Sequence, residues 1–170
     1  KRPTQPKEAR LPRPLTTQLP MRAVIQRVSE ASVEVDTLRI ADLAGPGLLV
    51  LLGITHTDTV ADAAKMATKI HGLRIFDAPS DAAGPRECSV GELGLPVLVV
   101  SQFTLYGSTN KGRRPTWDAA APGGIAEPLV AEVATQLRLL GVEVQTGQFG
   151  ADMAVRSVNA GPMTLILDVP

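Results

Sequence analysis

Cysteine occurs once in the 170 residues, at Cys88. An internal disulfide is thereby excluded, and a reducing compartment, by default the cytoplasm, is expected. With no histidine or second cysteine beside it, Cys88 reads as a spectator thiol rather than a metal ligand. Histidine is nearly as scarce, with two residues, His56 and His71, so a serine–histidine arrangement is poorly supported. Charge of one sign is lacking too. Lys plus Arg and Asp plus Glu each total 17, which removes the case for non-specific nucleic-acid binding and leaves any RNA contact to a local patch. No run approaches the ~18 to 20 apolar residues that cross a bilayer, and the N-terminal residues lack the apolar core of a secretory signal. The glycines show no phosphate-loop spacing, and no solenoid or propeller period is present. Neither a metal nor a cofactor is expected, and no membrane partner.

What is present suffices for one core: 44% of residues are hydrophobic and 20% charged, in a length that suits one domain. Residues 1–20 differ from the rest, with prolines at 3, 6, 12, 14 and 20 and almost no apolar periodicity, and are expected to form a loose tail. The domain is expected over 21–170. Strand-like runs at Arg22 to Val28, Ser32 to Val35, Arg39 to Leu43 and Gly47 to Gly53 suggest an antiparallel opening meander. Thr57 or Asp58 then caps a helix whose buried stripe is Val60, Ala63, Ala64, Ala67 and Ile70, ending at Gly72. Leu73 to Asp77 reads as a strand, Ala78 to Gly84 as a polar turn, and Pro96 to Val100 as a strand covered on both faces. A long loop from Tyr106 to Gly124 leads to a second helix with Ile125, Leu129, Val133, Leu137 and Leu140 buried, Pro128 within its first turn and Gly141 at its end. Strands follow at Val142 to Thr146, Met153 to Val158 and Met163 to Val169. This order predicts a mixed α/β domain with a largely antiparallel sheet and two main helices packed on it.

Two segments carry candidate chemistry. Ser101-Gln102-Phe103-Thr104-Leu105 ends an apolar strand, a rigid place for functional groups. Ser101 and Thr104 are nucleophile candidates only with a base in reach; otherwise they satisfy backbone groups at the strand end. Asn159-Ala160-Gly161-Pro162-Met163-Thr164 sits where the chain is expected to reverse, either as an ordinary turn or as a cis Gly–Pro unit aiming carbonyls at a ligand. Lys111, Arg113 and Arg114 place three positive charges in a Gly/Pro-rich loop that also contains Trp117, read either as a solvated loop or as a phosphate-backbone contact.

Taken with Met21 to Val28, Gly45 to Gly53, Leu73 to Phe76 and Phe149-Gly150-Ala151-Asp152-Met153, these segments closely resemble the D-aminoacyl-tRNA deacylase family, also called D-tyrosyl-tRNA(Tyr) deacylases. The match runs from Met21 almost to the end. The resemblance implies a barrel-like fold and a homodimer that hydrolyses the ester of a D-amino acid, or glycine, on tRNA. It implies an active site shared across subunits, in which Gly161 and Pro162 form a cis motif that excludes L-amino acids from the partner's pocket. Ser101, Gln102, Phe103 and Thr104 would line the pocket, with backbone N–H groups near Phe103 and Thr104 stabilising the oxyanion and Thr104 preferred as a positioning group. The resemblance further implies that the tRNA 2′-hydroxyl assists catalysis. Phe149 and Met153 match positions near the pocket, with core packing equally open; Lys111, Arg113 and Arg114 are candidates for tRNA contact. Asp36-Thr37-Leu38 departs from the Asp-Gly of many relatives, so a longer or irregular hairpin is expected there. A non-catalytic module for an RNA 3′ end or adenine nucleotide, and a conventional Ser/Thr hydrolase, are the competing classes.

Overall fold

A computed structural model describes residues 19–80, 87–110 and 112–170. The expected tail lies outside these residues except for Leu19 and Pro20, the polar turn lies partly outside, and Lys111 lies outside. Leu19 and Pro20 are tied to the body: the Leu19 carbonyl accepts from Thr55 Oγ1 at 3.2 Å, and the Pro20 carbonyl accepts from the Tyr106 hydroxyl at 2.6 Å.

The strands are β1 (Met21–Val35), β2 (Leu38–Leu43), β3 (Gly47–Gly53), β4 (Phe76–Asp77), β5 (Glu87–Cys88), β6 (Val97–Ser101), β7 (Val144–Thr146) and β8 (Ala154–Val169). The helices are α1 (Val60–Gly72), the short α2 (Val90–Leu93) and α3 (Gly123–Leu139), with a 3₁₀ turn at Phe103–Tyr106. The main sheet has the order β2-β1-β3-β6-β7, with β8 along the other side of β1. Pairs of β1 with β2, β3 and β8 are antiparallel, and β3 with β6 and β6 with β7 are parallel. The mixed class and largely antiparallel sheet agree with the sequence reading; the meander does not. The Arg22 to Val28 and Ser32 to Val35 runs are one 15-residue strand, whose first half pairs with β3 and second half with β2 while β8 runs along both.

Side-chain alternation explains the layers. In β3 and β6, Leu48, Val50, Leu52, Val97 and Val99 face α1 and α3, while Leu49, Leu98 and Val100 join Val28, Val33 and Leu43 on the other face. The β6 strand is thus buried on both sides, as its uninterrupted apolar run predicts. From α1 the core receives Ala63, Met66, Ala67 and Ile70, and from α3 Ala126, Leu129, Val133, Ala134 and Leu137.

Several local readings are corrected. Thr59 caps α1 in place of Thr57 or Asp58, accepting from the Asp62 N–H while the Asp62 carboxylate accepts from Thr59 N–H. The later start leaves Val60 exposed. In α3, Ile125 and Leu140 are exposed and Ala126 and Ala134 take their places, because small side chains let the helix sit close to the sheet. Pro128 is the sixth residue of α3 and lies beyond its first turn. Only Phe76 and Asp77 of the expected Leu73 to Asp77 strand pair.

The β1–β2 turn is tight, with Val35 facing Leu38. Asp36 and Thr37 both take positive φ, 48° and 71°, so the two-residue turn forms without glycine, against the expectation of an irregular one. A β-branched residue at positive φ is strained. Thr37→Gly is therefore expected to stabilise the protein by about 1 kcal/mol, visible as a rise in denaturant midpoint at unchanged m-value.

Ion pairing joins the chain's two ends. Arg22 Nε and Asp168 Oδ1 lie 2.7 Å apart and Arg22 Nη2 and Asp168 Oδ2 2.8 Å apart, across a directly paired register. The Arg22 guanidinium holds the Asp168 carboxyl below the usual carboxylate range. A lowered native value means that the pair's stabilisation is present above about pH 4 and is lost as pH falls further. Asp168→Asn should flatten this acid-side loss in a pH series of thermal midpoints.

Candidate active site

The apolar strands β3 and β6 run parallel and end together, and the chain leaving β6 folds over the end of β3. Gln102 N–H donates to Leu52 O at 2.8 Å. Gly53 makes the crossing possible: a Cβ there would lie 2.8 Å from the Tyr106 ring and 3.2 Å from Gln102 O. Across the gap, Ala121 N–H donates to Ile54 O at 2.9 Å, tying the start of α3 to the end of β3. Between these ties lies a cavity of about 230 Å³ lined by Leu52, Ile54, Ser101, Gln102, Phe103, Ala121, Gly123, Ala126, Val130, Phe149 and Gly150. Its walls are mainly apolar, with polar groups concentrated on the 101–103 side, the pattern of a small-molecule site.

Phe103 and Thr104 open the 3₁₀ turn, so their N–H groups have no acceptor within it; the turn's own bonds run from Leu105 N–H to Gln102 O and from Gly107 N–H to Thr104 O. The Gln102 side-chain amide donates to Thr104 Oγ1, which fixes the Thr104 hydroxyl beside the cavity, outside its lining. Phe149 lines the cavity, with Cε1 3.5 Å from where a Cβ on Gly123 would stand. Met153 does not; it packs with the core on the opposite sheet face. Neither histidine lines the cavity. His56 is exposed with Nε2 2.9 Å from Asp118 O, and His71 lies against Gly91. Nearby, burial and the Asp58 carboxylate push the Tyr106 hydroxyl far above its ordinary value, and burial raises Asp58. Tyr106 thus stays a neutral donor to the Pro20 carbonyl. Among the described residues no three His, Cys, Asp or Glu side chains cluster as metal ligands would.

Gly161 and Pro162 stand apart from the cavity within one chain. The expected reversal is absent, because β8 is one 16-residue strand along β1. Its register jumps instead: Gln26 pairs with Thr164 and Val28 with Asn159, so Ala160 to Met163 bulge out opposite Arg27 alone. The Gly161–Pro162 bond is trans, as are all peptide bonds among the described residues, which corrects the expected cis geometry. Antiparallel pairing on both flanks carries the chain forward through the bulge, so no reversal is needed there. Arg27 braces the bulge, with Nε 3.0 Å from Ala160 O and Nη1 2.6 Å from Ile75 O. Asn159 closes it from within, accepting from Met163 N–H at 3.2 Å and donating to Thr164 Oγ1 at 2.8 Å. Gly161, at φ 87°, tolerates no Cβ, which would meet Arg27 Nη2 at 2.1 Å. Sequence reasoning gave Arg27 no role; a charged residue next to the buried Val28 in β1 is its one signal. Arg113 and Arg114 are exposed on the loop between the 3₁₀ turn and α3.

The sheet-and-helix arrangement is shared with solved structures. One is a probable eukaryotic D-amino acid tRNA deacylase, which has a TM-score of 0.76 at 18% identity and is covered over 99% of its length by 88% of this chain. Another is the c-Myc DNA unwinding element binding protein, with a TM-score of 0.78 at 37% identity and the same coverages. The family follows from sequence: the D-Tyr-tRNA(Tyr) deacylase model matches residues 24–168, and the chain belongs to that family of hydrolases. D-aminoacyl-tRNA deacylases of Acidothermus cellulolyticus and Thermobifida fusca are 54% and 55% identical to it over 149 residues, which is 88% of this chain and 99% and 100% of theirs.

Proposed function

We propose that this chain hydrolyses the ester between a D-amino acid, or glycine, and the terminal adenosine of tRNA, as a cytoplasmic homodimer that proofreads translation. The observation that carries this reading is the small apolar cavity lined by Phe103, the first residue of a 3₁₀ turn in which the N–H groups of Phe103 and Thr104 have no acceptor. Two such donors suit the oxyanion formed when water attacks an ester carbonyl. Attack gives a tetrahedral intermediate; its collapse breaks the bond to the ribose oxygen, which leaves with a proton as the tRNA hydroxyl. Ser101, Gln102 and Phe149 hold the aminoacyl end, and Gln102 with Thr104 positions the attacking side.

Dimerisation is supported by β8. It pairs with β1 alone among the described strands and leaves Val155, Val158 and Ile166 exposed. A long apolar edge strand requires cover. In the proposed dimer the Gly161–Pro162 bulge enters the partner's cavity. Mirror-image esters carry the same functional groups, so rejection of the L form rests on a rigid obstruction where its side chain would point. The braced bulge has that rigidity. Lys111, Arg113 and Arg114 contact tRNA phosphates in this reading, and Met153, in the core on the opposite sheet face, supports the strand that carries Ser101 without touching the substrate.

The test is deacylation of D-tyrosyl-tRNA and L-tyrosyl-tRNA in parallel, with a chelator present. Rapid loss of the D ester alone is expected. Binding of tRNA without loss of either ester would overturn the enzymatic reading in favour of a binding module.

A further inference from the structure

Two of the chain's few aromatic side chains stand in solvent at the cavity's lip. Phe103 is 56% exposed and Trp117 40% exposed, and their ring centroids lie 5.3 Å apart at an interplanar angle of 76°. An edge-to-face pair of this kind ordinarily helps fill a core; here it leaves ring surface open to water. We propose that Phe103 and Trp117 form a stacking platform for the unpaired nucleotides that precede the terminal adenosine, with Arg113 and Arg114 holding their phosphates. The proposal rests on the tRNA-ester reading above and extends it to how the polynucleotide is recognised.

Three observations support it. Phe103 both lines the cavity and touches Trp117, so a chain whose last residue enters the cavity passes the platform on the way in. Trp117 is also held firmly. Ser108 and Thr116 exchange N–H···O bonds of 2.8 and 3.0 Å at the base of its loop, and Ala120 N–H donates to Trp117 O at 2.9 Å. The indole sits on Gly107, where a Cβ would fall 2.6 Å from Cζ3; this glycine is the space for the ring. A rigid aromatic costs little ordering entropy on binding, and stacking tolerates any base. Finally, Arg113 and Arg114 belong to the same loop, both are exposed, and neither joins an ion pair among the described residues. Two exposed guanidinium groups on the loop that carries Trp117, with no ion-pair partner among the described residues, suit a single-stranded polyanion better than an apolar partner.

Trp117 is the only tryptophan, so its fluorescence reports on the platform directly. Titration of the full chain with uncharged tRNA should quench it, and tRNA lacking its last three nucleotides should not. For Trp117→Ala, KM for D-tyrosyl-tRNA should rise about 5- to 150-fold with kcat held, the range given by loss of one stacked base. Trp117→Phe should restore most of the affinity. With the D-tyrosyl ester of adenosine alone, which lacks the preceding nucleotides, the penalty of Trp117→Ala should disappear. Equal quenching by intact and truncated tRNA, or the same penalty on both substrates, would overturn the platform. Failure of the parent protein to cleave either ester would count against the deacylase reading, while the quenching measurement would still decide the platform.

Discussion

Replacing Pro162 with alanine is expected to raise hydrolysis of L-tyrosyl-tRNA about 10²-fold relative to the D ester, the scale at which a pocket separates substrates by shape alone. The expectation follows from how the bulge is built. Four residues, Ala160 to Met163, stand out of β8 where β1 spends one, Arg27. Such a protrusion is floppy unless tied, and here it is tied three times: to Arg27 through the Ala160 carbonyl, to Asn159 through the Met163 N–H, and by the fixed φ of proline. Removing the proline ring takes away bulk and stiffness together. Gly161→Ala should act in the same direction by another route. The new Cβ would collide with an Arg27 guanidinium already held by two carbonyls, and φ of 87° adds strain of about 1 to 3 kcal/mol. The measurement is the ratio of D to L deacylation rates, with dimer mass checked for each variant. An unchanged ratio in a folded, dimeric Pro162→Ala protein would remove Pro162 from chiral selection.

The contrast between the two site segments shows what a sequence exposes and what it conceals. Ser101 to Phe103 were legible because polar groups where an apolar strand meets a loop mark a rigid place for function, Phe149 only through the family resemblance, and they meet around one cavity. The remaining walls, Leu52, Ile54, Ala121, Ala126 and Val130, were not legible. A cavity is missing volume between elements that are distant in the chain, and alanine or valine in a helix looks the same whether it faces a core or a void. The Gly–Pro segment was located but its backbone was misread: glycine and proline signal a departure from regular pairing, and that signal does not separate a reversal from a bulge. The separation comes from Gln26 and Val28 pairing on either side, a long-range fact. The same holds for β1, where Ser29-Glu30 reads as a break between strands and is instead a register shift within one strand. Arg27 was hidden for a related reason, since its hydrogen-bond partners are the carbonyls of Ala160 and Ile75, which carry no sequence signature, and its ion-pair partner Asp77, 3.8 Å away, is fifty residues on in the chain.

A tRNA whose terminal ribose lacks the 2′-hydroxyl should be hydrolysed about 10² to 10⁴ times more slowly than the natural ester, the usual contribution of a positioned proton-transfer group. The prediction comes from an inventory of bases around the cavity. His56 and His71 are both elsewhere, and no carboxylate or lysine lines the walls. Within this lining Ser101 meets no base, the carboxylate of Glu127 lining the adjoining pocket instead, and the Thr104 hydroxyl already accepts a hydrogen bond from Gln102. The vicinal hydroxyl of the substrate sits on the carbon next to the one that bears the reacting oxygen, and in the proposed reading it orders the attacking water. Thr104→Ala should then cost less than about tenfold, the range of one positioning hydrogen bond. The decisive comparison is a two-by-two set, parent and Thr104→Ala, each on ribose and 2′-deoxyribose esters. A large loss from the deoxy substrate with a small loss from the mutation supports substrate assistance. The reverse pattern, with Thr104→Ala abolishing turnover of both esters, would make Thr104 the nucleophile and would require a base that the cavity gains only on dimerisation.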